Sequence, residues 1–189
     1  MIRNKILDFN NFITLDLEYT SWEGSLENNW SRSFEQKEIV QIGIYNPKNK
    51  IPNISFYFEP QINKILSNYF INLTKITNKY LKDHSINFIE GLKRIDEMTK
   101  DVKSIYVIGN DKEVILENIK LYKIKKKFNF IDKILDIRPQ IAKKLNLPEK
   151  RIVSSELPNL LNIKIENETK HNAEYDCICS FKAIELLFT

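Results

Sequence analysis

The stretch FITLDLEY, residues Phe12–Tyr19, decides the fold because it predicts a buried β-strand that carries two acids. It is rich in β-branched and aromatic residues, contains no Gly or Pro, and follows an Asn-rich turn. Successive side chains of a strand point to opposite faces, so Asp16 and Glu18 share one face while apolar residues share the other. Two carboxylates held side by side disfavour each other's ionised form. The stretch therefore predicts a site that compensates the charge of both acids.

Length and composition indicate an ordinary globular protein. The chain has 189 residues, 42% of them hydrophobic and 29% charged, and we expect one domain over residues 1–189. A formal net charge of +4 permits a nucleic-acid partner without requiring one. Without a signal peptide or a membrane-length apolar run, we expect a cytoplasmic protein. Cys177 and Cys179 diverge on a predicted helix, so we expect both to be buried and unpaired.

The order of the predicted elements favours an α/β fold. Strands come first as a meander and then alternate with helices, which is typical of a sheet flanked by helices. The strand-like runs are Phe12–Tyr19, Glu38–Tyr45, Ile54–Glu59, Ser104–Ile108 and Phe128–Ile131, with a hairpin turn at Asn46–Asn49. The helical runs are Ser67–Leu73, Ser85–Lys100, Lys112–Lys120, Arg138–Leu145, Glu156–Leu161 and Glu174–Phe188. The Lys-rich stretch Lys120–Lys127 is either a solvated helix end or a patch that steers phosphates.

Two more acids and a histidine occupy similar positions. Asp111 follows the fourth strand-like run and a Gly-containing turn, at the head of a helix, which places it at the edge of the sheet. Asp176 lies in or near the first turn of the last helix, whose apolar residues recur with helical period. Asn172 is a suitable N-cap for that helix and leaves His171 in the preceding loop. His171 then either meets Asp176 or is only an exposed loop histidine.

Together these residues resemble the DEDDh superfamily of 3′–5′ exonucleases. The matching set is Asp16-x-Glu18, Asp111 and His171-x-x-x-x-Asp176, in that order. The stretch EIVQIG at residues 38–43 is similar to the family's second strand. The resemblance covers the chain from Phe12 to about Leu187. It implies an RNase H-like fold, in which a five-stranded mixed sheet is flanked by α-helices.

A second set of residues narrows the resemblance to one branch. Leu66-Ser67 and the stretch LTKIT at residues 73–77 are similar to a signature of the branch that trims structured RNA 3′ ends. Lys75 stands where this branch usually has Gly, and Ile108 replaces a common Trp.

Two further differences concern the site itself. The turn Gly109-Asn110-Asp111 is one residue tighter than is usual in the family. Asp101 is the nearby substitute for Asp111, but it precedes its strand, so we retain Asp111. Asn172 stands where the tyrosine class of the superfamily has Tyr, which favours the histidine class.

The resemblance implies a metal-dependent hydrolysis. Four carboxylates match two ions, and hard oxygen ligands suit Mg²⁺ or Mn²⁺. Asp16 is the expected bridging ligand, with Glu18, Asp111 and Asp176 completing the coordination. His171 would accept the proton of the attacking water, a task for a side chain that titrates near neutrality. The products would be nucleoside 5′-monophosphates.

The expected substrate is a nucleic acid with a free 3′ end. By resemblance, Tyr69 and Leu73 line the pocket of the terminal nucleotide, and the backbone at Tyr19 and Thr20 flanks its sugar. Trp22 and Trp30 lie in a polar loop at residues 21–36, where each either contacts substrate or folds onto the domain.

Three hypotheses compete. The first is an exonuclease acting on RNA, the second a DNA-directed proofreading-type exonuclease, and the third a non-catalytic RNase H-like module that binds nucleic acid. We expect no appended nucleic-acid-binding domain, in which case another protein would direct this one to its substrate.

Overall fold

Five strands form one mixed sheet in this computed structural model, which describes residues 7–47, 54–165 and 171–189. The strands are β1 (Phe12–Tyr19), β2 (Ile39–Tyr45), β3 (Ile54–Tyr57), β4 (Ser104–Val107) and β5 (Ile134–Asp136), in the spatial order β3-β2-β1-β4-β5. The first three pair antiparallel, whereas β4 runs parallel to β1 and β5 parallel to β4. The carboxyl ends of β1 and β4 therefore lie at the same edge of the sheet.

Seven α-helices flank the sheet within the described residues. They are α1 (Asn68–Thr74), α2 (Asn78–His84), α3 (Phe88–Met98), α4 (Asp111–Leu121), α5 (Arg138–Leu145), α6 (Leu157–Leu161) and α7 (Ala173–Phe188). Short 3-10 helices span Asn129–Lys133, Glu149–Arg151 and Ser154–Glu156. None of the helices in the described ranges has the length and apolar character needed to cross a membrane. The predicted five-stranded mixed sheet with flanking helices is confirmed.

The two faces of β1 divide the interior as their alternation predicts. Ile13, Leu15 and Leu17 belong to a large apolar cluster that also contains residues of α3 and α4. The opposite face is covered by α7, where the Thr14 hydroxyl donates to the carbonyl oxygen of Cys177 at 2.8 Å. The fully buried Thr14 thus links the middle of the sheet to the helix that carries Asp176.

A glycine on β2 allows α7 to approach the sheet closely. Gly43 pairs with Asp16 across the β1–β2 ladder. A Cβ atom at Gly43 would lie 2.5 Å from the carbonyl carbon of Ala173, the first residue of α7. The amide of Ala173 also donates to the side-chain oxygen of Gln41 at 3.2 Å. These contacts seat the first turn of α7 directly over the acids of β1.

Two predicted elements need correction. The strand predicted at Phe128–Ile131 is wrong: Asn129–Lys133 is a 3-10 helix, and the fifth strand follows at Ile134–Asp136. Phe130 is buried, but its amide donates to the side chain of Asp96 at 2.9 Å instead of joining a strand ladder. The helix α2 was not predicted, because Leu81 is its one buried residue and leaves little apolar periodicity.

Other predictions concern smaller features. Cys177 and Cys179 are free and buried, as predicted. The hairpin turn predicted at Asn46–Asn49 lies partly outside the described residues, although β2 and β3 do pair antiparallel. The lysines of Lys120–Lys127 are exposed in the last turn of α4 and the segment after it, so both interpretations of that stretch stay predictions.

Candidate active site

Three carboxylates converge where β1 ends and α7 begins. Ligand oxygens of Asp16, Glu18 and Asp176 all lie within 4.8 Å of one another. Asp16 and Glu18 are half-buried, and Asp176 is 7% exposed in the first turn of α7. The predicted meeting of these three side chains is therefore present in the structure.

Asp111 approaches the same group from β4. It is the first residue of α4, is 8% exposed, and lies outside the three-carboxylate group formed by the described residues. Its charge nevertheless raises the pKa of Asp16, so the two acids are within electrostatic reach. The Oδ2 atom of Asp111 is buried and makes no hydrogen bond to any described residue. Asp101, the alternative, precedes β4 at the opposite end of the sheet.

Burial and mutual repulsion favour the protonated form of these acids. Burial, together with the charges of Asp111, Asp176 and Glu18, raises the pKa of Asp16 well above its ordinary value. Burial and the charge of Asp176 raise the pKa of Glu18 to about 8. Burial and the charge of Asp136 raise the pKa of Asp111 to about 8, against the opposing charge of Arg138. A divalent cation would restore the ionised state of these groups.

The donor set fits a hard divalent cation. Every candidate ligand is a carboxylate oxygen, the kind that Mg²⁺ and Mn²⁺ prefer. The unpartnered buried Oδ2 atom of Asp111 supports the same fit, since such an atom is costly unless a ligand binds it.

His171 lies immediately before the helix that carries Asp176. It is exposed and has a left-handed backbone with φ of 59°. The predicted cap is confirmed, because the Asn172 side chain accepts from the amide of Glu174 at 3.1 Å. His171 therefore occupies the loop in which the sequence predicts it, and its role as a proton acceptor stays a prediction.

A family comparison agrees with this geometry. The model of the exonuclease family RNase_T matches residues 13–184 of the chain. The chain belongs to this exonuclease family. No curated protein sequence matches it.

Solved structures share the fold of this exonuclease domain. The nuclease domain of 3'hExo, a DEDDh family member bound to rAMP, is 20% identical with a TM-score of 0.75, and the alignment covers 95% of this chain and 94% of that one. Cell-death related nuclease 4 is 14% identical with a TM-score of 0.72, covering 94% and 63% of the two chains. The zinc-bound E. coli ExoI–ssDNA complex is 16% identical with a TM-score of 0.62, covering 93% and 40%. This chain thus spans less than two thirds of the last two proteins.

These comparisons confirm two predictions. The RNase H-like fold is shared with the structural neighbours, and the family match together with that fold confirms the resemblance to DEDDh exonucleases.

Two of the predicted substrate residues, Tyr69 and Leu73, lie on α1. The Ser67 hydroxyl, which caps α1, donates to the carbonyl oxygen of Ser21 at 2.5 Å and ties that helix to the segment after β1. Tyr69 is 41% exposed and Leu73 half-buried on α1, four residues apart and hence on one side of the helix. Neither is tested as a substrate contact, and both stay predictions.

The segment that follows Glu18 is held by the polar loop. The ring centroids of Tyr19 and Trp30 lie 5.4 Å apart. Burial and the charges of Asp111 and Asp16 raise the pKa of the Tyr19 hydroxyl. The Thr20 amide donates to the carbonyl oxygen of Glu38 at 2.9 Å, and the Thr20 carbonyl accepts from the Trp30 indole at 3.0 Å.

These contacts bear on the two tryptophans. Trp30 folds onto the domain, which is one of its two predicted roles. Trp22 is half-buried, with its ring edge-on to Phe34 at 5.4 Å, and its role stays open.

Three residues beside the acids were not predicted. The Ser154 hydroxyl lies 3.5 Å from Oδ1 of Asp16. Asp136 ends β5 and forms an ion pair with Arg138 at 3.1 Å. Asp111 is predicted because it follows the end of a strand. Asp136 also ends a strand, but it is not predicted because the fifth strand is placed too early in the sequence.

Proposed function

We propose that this protein is a metal-dependent 3′–5′ exonuclease that releases nucleoside 5′-monophosphates from the 3′ end of RNA. The observation that carries the proposal is the convergence of Asp16, Glu18 and Asp176 within 4.8 Å on an exonuclease-family domain. The nearby Asp111 supplies the fourth carboxylate.

The four acids would hold two Mg²⁺ or Mn²⁺ ions. When bound, such ions lower the pKa of a water molecule and stabilise the leaving 3′-oxygen. Asp16 is central among the acids, since the charges of the other three all act on it, which supports its role as the bridging ligand. Glu18, Asp111 and Asp176 would complete the coordination.

His171 would accept the proton of the attacking water. An exposed imidazole exchanges that proton readily with solvent. Its place one residue before the Asn172 cap keeps it near the turn that positions Asp176.

Tyr69 and Leu73 would hold the terminal base, since an apolar surface accepts bases of any kind. The Thr20 amide and carbonyl already have partners within the protein, so the backbone of Tyr19 and Thr20 would flank the terminal sugar through packing.

RNA is the proposed substrate, and DNA the second candidate. The stretches at residues 66–67 and 73–77 support RNA by their similarity to RNA-trimming exonucleases. One structural neighbour is a 3′-exonuclease that recognises a histone mRNA stem-loop, with 18% identity, a TM-score of 0.77 and alignment over 94% of this chain and 63% of that one. The ExoI–ssDNA complex favours the alternative. The exposed lysines of Lys120–Lys127 would steer either polyanion, and the cytoplasmic location stays a prediction.

The test uses 5′-labelled RNA and DNA of one sequence, single-stranded and as a stem-loop, with Mg²⁺ or EDTA. We expect stepwise shortening from the 3′ end with Mg²⁺ only, faster on RNA, and none with Asp16→Asn. Faster shortening of DNA would support the second candidate. Binding without shortening at any Mg²⁺ or Mn²⁺ concentration would support a non-catalytic module and overturn the proposal.

A further inference from the structure

One carboxylate joins two turns at the edge of the sheet beside the acids. Oδ1 of Asp136 accepts from the amide of Gly109 at 3.1 Å and from the amide of Arg138 at 2.9 Å. Its other oxygen, Oδ2, pairs with the Arg138 guanidinium at 3.1 Å. The first bond reaches the turn after β4, and the others hold the start of α5. Asp136 itself lies opposite Val107 in the β4–β5 ladder.

The turn that Asp136 holds is the one that delivers Asp111. It passes from Val107 to the first residue of α4 through Gly109, whose φ of 122° is a conformation that favours glycine. The N-cap residue Asn110 makes no side-chain hydrogen bond to α4. The side-chain hydrogen bond that commonly caps a helix start is therefore not made by Asn110. The bond from Asp136 to Gly109 supplies a constraint from outside the turn.

We infer that Asp136 is the positioning residue that aims the carboxylate of Asp111 at the bound cation, and that Arg138 holds Asp136 in place. This inference rests on the proposed function of the same site. Asp136 accepts from the backbone of the turn that carries Asp111 and is not among the three carboxylates that converge within 4.8 Å, so its role is to position a ligand. The effect passes through the backbone of the turn, since Asp136 bonds to the Gly109 amide, and outer groups that orient metal ligands commonly change metal affinity when they are removed.

Arg138 has a second effect in this arrangement. Its guanidinium lies near Gly109, with Nη1 3.9 Å from the position that a Cβ atom there would take. The ion pair offsets the negative charge that Asp136 brings to an edge already occupied by four acids. In keeping with this, Asp136 raises the pKa of Asp111 and Arg138 lowers it.

The test compares Asp136→Ala, Asp136→Asn and a matched control, Asp96→Ala. Asp96 is also half-buried and accepts from a backbone amide, that of Phe130 at 2.9 Å, but it lies on α3 away from the acids. Direct Mn²⁺ binding is measured by electron paramagnetic resonance of free Mn²⁺, without substrate. The Mg²⁺ concentration for half-maximal activity and the melting temperature are measured on the same samples.

We expect Asp136→Ala to weaken Mn²⁺ binding about 10- to 100-fold. Asp136→Asn keeps an oxygen acceptor for both amides and loses only a partly exposed ion pair, so it should stay within about fivefold of the wild type. Asp96→Ala should melt at a lower temperature with unchanged Mn²⁺ binding. Wild-type Mn²⁺ affinity in folded Asp136→Ala would overturn the inference. If Asp136→Ala does not fold, the inference would instead be overturned by an Asp136→Asn variant that binds Mn²⁺ no more tightly than Asp16→Asn does.

The binding measurement also separates this inference from the proposed function. A wild-type protein that binds Mn²⁺ but hydrolyses no nucleic acid would end the proposed function, while the comparison of Asp136 variants would still decide the role of that residue.

Discussion

Removal of divalent cations should make the stability of this exonuclease domain fall as pH rises. Burial and the charge of Asp176 raise the pKa of Glu18 from 4.5 to about 8, and burial and the charge of Asp136 raise that of Asp111 from 3.8 to about 8. An acid with a higher pKa in the folded state binds more protons when folded, so the folded state loses stability as pH rises between the two values. For Glu18 the loss begins near pH 4.5 and is complete above about pH 8.

The size of the effect follows from the same pKa values. A tenfold change in proton affinity is worth about 1.4 kcal/mol, so the change at Glu18 from 4.5 to about 8 corresponds to at most about 5 kcal/mol. The acids titrate together, and protonation of one relieves its neighbours. We therefore expect the free energy of unfolding in EDTA to fall by about 3 kcal/mol between pH 5.5 and pH 8.5.

Urea denaturation in EDTA and in Mg²⁺ measures this directly. In Mg²⁺ the fall should largely disappear, because the bound cation favours the ionised acids. Glu18→Gln is neutral at both pH values, so in EDTA at pH 8.5 it should be more stable than the wild type. Glu117→Gln, an exposed position on α4, is the control and should follow the wild type. A wild-type protein equally stable at both pH values in EDTA would refute the electrostatic reasoning, and so would a Glu18→Gln variant less stable than the wild type at pH 8.5.

Three further predictions concern the catalytic roles, the packing of α7 against Gly43 and the buried carboxylate of Glu38. His171→Ala should lower turnover about 10² to 10⁴-fold and leave metal affinity unchanged, whereas Asp176→Asn should raise the Mg²⁺ concentration needed for activity. Metal titrations of turnover test both variants, and a His171→Ala enzyme that works at full speed would contradict the assignment. Gly43→Ala should lower the free energy of unfolding by about 1–3 kcal/mol and also weaken Mn²⁺ binding. The control Gly91→Ala, whose new methyl group would contact Phe58, should lower stability in calorimetry without changing Mn²⁺ binding, and equal metal affinity in the two variants would count against the role of Gly43. Glu38→Gln should lower the free energy of unfolding by about 2–4 kcal/mol, because the Glu38 carboxylate accepts from three backbone amides and a tyrosine hydroxyl. Urea denaturation measures this, and a loss below about 1 kcal/mol would contradict it.

The parts of the site that could be predicted depend on signals within a few residues. The strand Phe12–Tyr19 has the predicted bounds, because alternation and composition act within the strand itself. The cap at Asn172 and the position of Asp176 in the first turn of α7 are also local. The meeting of these acids required one further assumption, that the helix packs on β1, and the family resemblance supplied it.

The parts that could not be predicted depend on partners distant in sequence. Phe130 has the composition of a strand residue, but its amide bonds to Asp96, 34 residues earlier, and the chain forms a 3-10 turn there. The true fifth strand has three residues, too few to show alternation.

That error has a consequence for Asp111. Compared with the pattern of the family it resembles, the turn Gly109-Asn110-Asp111 is one residue shorter, and nothing within the turn explains how it still presents the acid. The explanation lies 27 residues away, where the carboxylate of Asp136 accepts from the amide of Gly109. Only a correctly placed β5 brings that carboxylate beside the turn, because Asp136 lies opposite Val107 in the β4–β5 ladder. The wrong position of the predicted fifth strand therefore also explains why the support of the Asp111 turn was not predicted. The observed register of β5, which brings Asp136 beside Gly109, accounts for both.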